Sequence, residues 1–107
     1  MPVSQSCQPI TLITLSAYLE LGQKLRDLYI REHAAPEVEQ QLNAWYGASR
    51  QYISQKLGAD YAARYGTYRS SVLGIVNFPV AKMGIVDAIN GRIDHLVTFL
   101  TELRQRR

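Results

Sequence analysis

Between Trp45 and Tyr68 the chain concentrates residue types that bind charged or planar partners. The stretch holds the only tryptophan, five of the seven tyrosines, and Arg50, Lys56 and Arg64, against one acid, Asp60. Arg69 follows directly. Cationic side chains contact phosphates or carboxylates, and exposed aromatic rings stack on bases. One chemistry for this pattern is a nucleic-acid surface of Arg50, Lys56, Arg64 and Arg69 with tyrosines between them. Another is a protein-binding surface. The same rings at helical spacing also fill cores, with their hydroxyls at the rim. Trp45 falls in step with Val38 and Leu42, and Tyr61, Tyr65 and Tyr68 fall in step with Val72. Those rings are expected inside. Tyr46 stands off the stripe and is the ring expected at the surface.

Other reactive groups are sparse. His33 and His95 are the only histidines. His95 follows Asp94, and consecutive helical residues do not share a face. Asp87 and Asp94 are spaced to share one, as a pair that binds a metal or a proton would. Such pairs are also found on solvated faces. Cys7 is alone, which excludes an internal disulfide and a thiolate cluster. No phosphate-binding glycine loop, zinc-binding helix motif, paired-cysteine motif or nucleophile elbow occurs. The expectation is a chain with no catalytic residues, no metal and no cofactor.

The chain has 107 residues with a formal net charge of +3. That length suits one domain with a single core and little room for a deep pocket. The charge is unevenly spread. Residues 1–44 carry three bases and five acids, whereas residues 45–82 carry five bases and one acid. A basic surface of Arg50, Lys56, Arg64, Arg69 and Tyr46 could meet an acidic surface of Glu32, Glu37 and Glu39 on a neighbour. No apolar run reaches the length of a membrane span, and the N-terminus lacks a signal-peptide pattern. These features predict a cytoplasmic protein that does not engage a membrane.

The periodicity predicts the elements that must position these groups. Residues 1–9 read as a flexible polar arm, and residues 10–107 as one helical domain. Leu15, Tyr18, Leu21, Leu25 and Leu28 predict one face of a helix from about Leu12 to His33. Gly22 costs about 1 kcal/mol in a helix interior and could allow a close crossing. Pro36, Glu37 and Glu39 suit a helix start. That second helix runs to Leu57 and stops at Gly58. Asp60 is the expected N-cap of a third helix, with Tyr61, Tyr65, Tyr68, Val72 and Ile75 along one face. Ile89, Ile93, Leu96, Leu100 and Leu103 mark a fourth. The fold class is all-α, roughly a four-helix antiparallel bundle.

Trp45, Ala48, Tyr52, Leu57-Gly58, Tyr61 and Tyr65, followed by Asn90-Gly91-Arg92-Ile93 and the Leu96–Leu103 stripe, form a pattern with a likeness. It resembles the small all-helical effector-associated or adaptor domains at the N-terminus of prokaryotic antiviral-defence and restriction-type proteins. The likeness covers somewhat more than half the chain. Tyr65 stands where phenylalanine is commoner. The resemblance implies a helical bundle that self-associates or docks a matching domain, and it implies no catalytic residues. The expected function is therefore a non-catalytic protein–protein interaction or self-association module. The alternative is a small helical nucleic-acid-binding subunit using residues 45–69.

Overall fold

The computed structural model describes residues 9–67 and 78–105, which form an all-α bundle of four helices. Helix α1 spans Pro9–Arg31, α2 spans Pro36–Leu57, α3 spans Ala59–Gly66 and α4 spans Met83–Gln105. A 3-10 turn, Val80–Lys82, leads into α4. Cys7, Tyr68, Arg69, Val72 and Ile75, and the arm before Pro9, lie outside the described residues.

Cross-helix contacts give the directions. Tyr18 lies against Tyr52, Trp45 against Tyr18, and Tyr29 against Glu39, so α1 and α2 are antiparallel. Arg26 meets Asn90, while Leu12 and Arg104 border one groove, so α4 also opposes α1. Helix α3 folds back on α2 and lies along the C-terminal half of α4.

The breaks follow from backbone chemistry. The turn after α1 places His33 and Ala34 at φ 54° and 64°, a left-handed conformation that costs an L-residue about 1–2 kcal/mol. The Ala34 N–H donates to the Tyr29 carbonyl at 2.9 Å, and its methyl is buried. Both offset that cost. Ala35 is extended ahead of Pro36, as a residue before proline prefers, and Pro36 opens α2. Gly58 at φ 103° and ψ 173° occupies a region open only to glycine. Its N–H donates to Ile53 and Ser54, and its carbonyl accepts from Ala62. One glycine thus ends α2 and starts α3. Asp60, the expected N-cap, instead sits in the first turn of α3, with Gly58 at the cap. Helix α3 also ends earlier than the tyrosine stripe predicts, because Thr67 turns extended and its N–H and hydroxyl both close on the Arg64 carbonyl.

The core lies between α1, α2 and α4. The predicted stripe Ile89, Ile93, Leu96, Leu100 and Leu103 is buried throughout, as are Val38, Leu42, Trp45 and Ile53. On α1 the buried line is Thr11, Leu15, Gly22, Leu25 and Tyr29. Leu21, expected in the core, is exposed, and Tyr18 and Leu28 are half-buried. Gly22 explains the shift. A Cβ there would lie 2.8 Å from Trp45 Cε2 and 3.1 Å from Cη2, so the indole occupies the place of a side chain. The bare glycine also leaves the Tyr18 carbonyl, one turn back, open to Trp45 Nε1–H, which donates to it at 2.8 Å.

Candidate functional site

The aromatic row is mostly structural. Tyr65 is fully buried, and its hydroxyl shares a 2.7 Å hydrogen bond with Ser49 Oγ. Tyr46, expected at the surface, is half-buried. It stacks on Tyr65 at 5.5 Å between centroids, and the Arg92 guanidinium lies over its ring at 4.3 Å. Arg92 arrives from α4, so adjacent sequence gave no sign of this cover.

The basic residues divide. Arg64 reaches Glu102 through both nitrogens, at 3.0 and 2.7 Å, while the Tyr61 hydroxyl donates to the same carboxylate at 3.2 Å. The guanidinium also lies 4.9 Å from the Phe99 centroid. The hydrogen bond to Glu102 is the main cause that raises the Arg64 pKa. Arg64 thus braces α3 against α4. Arg50 and Lys56 are exposed on α2. Arg69 lies outside the described residues.

The acidic residues divide in the same way. Glu37 is exposed in the first turn of α2, and Glu32 is exposed beside Arg31 at 3.8 Å. Glu39 faces inward. Its Oε1 accepts from the Tyr29 hydroxyl at 2.9 Å and from Lys82 Nζ at 3.2 Å. The hydroxyl, then the ammonium, hold the Glu39 carboxyl below its ordinary 4.5. Burial, then Glu39, pushes the Tyr29 phenol from 10.0 up to about 12.

A pH dependence follows. A carboxyl lowered on folding stabilises the bundle above its unfolded value, and that support is lost as pH falls through the folded one. A phenol raised on folding supports the bundle fully below about pH 10 and loses that support as pH rises toward about 12. Tyr65, raised by burial, adds to the alkaline side. Thermal melts across both ranges are expected to show stability falling on each flank. Tyr29→Phe is expected to shrink both losses, and equal losses in that variant would count against this cluster.

The acid and histidine candidates do not share a site. Asp87 is buried and Asp94 exposed, although both are on α4. His95 Nε2 bonds the Thr67 carbonyl, and its ring stacks on Phe99. His33 lies in the turn after α1. No group of three metal-ligating side chains forms among the described residues.

The feature that sequence reasoning missed is on α1. Ile10 is 66% exposed, Ile13 67% and Leu21 44%, and Ala17 between them is exposed too. Spacings of three, four and four place them on one stripe. Two grooves flank it. One, of about 500 Å³, lies toward α4 and is lined by Leu12, Ile13, Ser16, Ala17, Glu20 and Arg104. The other, of about 370 Å³, lies toward α2 and takes in Leu21, Gln41, Ala44 and Ala48. Exposed apolar side chains grouped on one helix face, rather than scattered singly, are a mark of an interaction site. The signal was present in the residue types. Helix α1 carries two apolar stripes, and only the packing of α2 and α4 decides which is left over. No helix among the described residues is long and apolar enough to cross a membrane. Comparison with protein-family models, curated proteins and solved structures finds no match to this chain.

Proposed function

We propose that this chain is a non-catalytic, cytoplasmic protein-interaction module whose docking face is α1. The exposed stripe Ile10, Ile13, Ala17 and Leu21 carries the reading. Covering one large aliphatic side chain contributes about 1.5–3 kcal/mol, so three of them can drive association against its ordering cost. The grooves on either side suit a partner helix laid along α1, recognised by anchors at helical spacing. The exposed charges Arg50, Lys56, Glu32 and Glu37 line neither groove and act on orientation and on-rate. An adaptor role, coupling one domain to another, fits such a module.

Ile13→Glu with Leu21→Glu tests the face. Both positions are exposed, so the variant is expected to keep its helical circular dichroism and melt within about 0.5 kcal/mol of the parent. It is expected to lose a protein that the parent chain retains in affinity capture from its own cells. Capture of the same proteins by both chains would overturn the assignment.

A further inference from the structure

We infer that the occupant of the α1 face is a second copy of this chain, docked with the two α1 helices antiparallel about a two-fold axis at Ala17. The inference rests on the reading of α1 as a docking face and adds the partner and the geometry.

The stripe is self-complementary about Ala17. Antiparallel pairing sets Ile13 against Leu21 of the second copy, and Ile10 against the aliphatic stem of Lys24 of the second copy. Ile10, Ile13, Leu21 and Lys24 are all exposed in the single chain. A small residue at the centre lets the helices approach closely, and a two-fold contact uses the same patch on both molecules.

Charge supplies a second, independent argument. Glu20 and Arg104 border the same groove on the α4 side of the stripe. Both are exposed, and neither forms an ion pair among the described residues. A two-fold axis running across the helices in the contact plane keeps the α4 side of one copy against the α4 side of the other. It also reverses level along α1. Glu20 therefore arrives at the Leu12 end of the second copy, where Arg104 stands, and the pairing occurs twice. The groove on the α2 side, which takes in Gln41, Ala44 and Ala48, is lined by no charged residue. A parallel pairing, about an axis along the helices, would instead set the α4 side of one copy against the α2 side of the other, so Glu20 and Arg104 could not meet.

Sedimentation equilibrium and cysteine cross-linking of the full chain test this. The parent chain is expected to form a dimer. Glu20→Arg is expected to weaken it about tenfold, the effect of losing two rim pairs, and Glu20→Arg with Arg104→Glu to restore it. In a Cys7→Ser background, Ala17→Cys is expected to form a disulfide-linked dimer on oxidation. Lys24→Cys is not, but is expected to link to Ile10→Cys when the two are mixed. A chain that stays monomeric at its highest soluble concentration overturns the inference. If Ile13→Glu with Leu21→Glu still loses a captured protein, the docking face stands with another partner. A dimer that ignores both Ile13→Glu and the charge exchange, and does not link through residue 17, assigns association to another face and overturns the inference as well.

Discussion

Trp45→Ala is expected to destabilise the bundle by about 4 kcal/mol, within the range of about 3–5 kcal/mol for deleting a buried large aromatic. The loss falls near the middle of that range or above because the site cannot refill. The facing residue is Gly22, which has no side chain to move into the space, and the Tyr18 carbonyl loses its indole donor. Against a total of about 5–15 kcal/mol for a domain, this is a large fraction. Urea titrations should show a lower midpoint with an unchanged slope. Gly22→Ala should destabilise by the opposite fault. Its methyl would intrude on the indole, an overpacking worth about 1–3 kcal/mol that outweighs the roughly 1 kcal/mol gain in helix propensity. Made together, the two changes should be less harmful than their sum, since the new methyl fills part of the new cavity. Additive losses would show that the two residues do not share one contact.

Phe99→Ala is the second large effect, also about 4 kcal/mol, and it should be felt first in α3. The Phe99 ring meets Tyr61 edge-on at 4.9 Å, lies 6.4 Å from Tyr65 and carries the Arg64 guanidinium at 4.9 Å. Helix α3 has eight residues, far too few to hold a helix alone in water. Its order depends on that platform and on the Arg64–Glu102 brace. Amide exchange in the Phe99→Ala chain should open α3 at lower free energy than α1 and α2. Phe99→Leu keeps much of the apolar volume but removes the aromatic face, and should lose roughly 1–1.5 kcal/mol. Uniform weakening of all four helices by Phe99→Ala would contradict the local account.

These dependencies mark what a sequence can and cannot show. Helix α2 was legible at both ends, because proline and glycine carry their conformational limits locally. The inward face of α4 was legible because only one apolar stripe runs its length. The core face of α1 was ambiguous. Leu21 and Tyr18 belong to a plausible stripe, and Gly22, read as a place for a close crossing, did not say that Trp45 would cover it. Tyr46, Arg64 and Glu39 were expected to meet a partner. Arg92, Glu102, Tyr29 and Lys82 meet them within the fold, each from an element other than the one that carries the residue it meets. Charge patterns along a chain record which ions exist, and the fold decides which of them face each other. For the same reason Ile10, Ile13 and Ala17 drew no notice, since an unpaired face is defined by what fails to cover it.

The solitary indole gives the molecule an optical readout of one place. Trp45 is the only tryptophan, and its surroundings are the point where α1 crosses α2. Its emission will follow the wetting of that crossing and little else, whereas far-ultraviolet dichroism sums every helix. Superimposed curves from the two signals would mean that the bundle comes apart in one step. An emission change that lags the dichroism would mean that the α1–α2 hairpin outlives the rest.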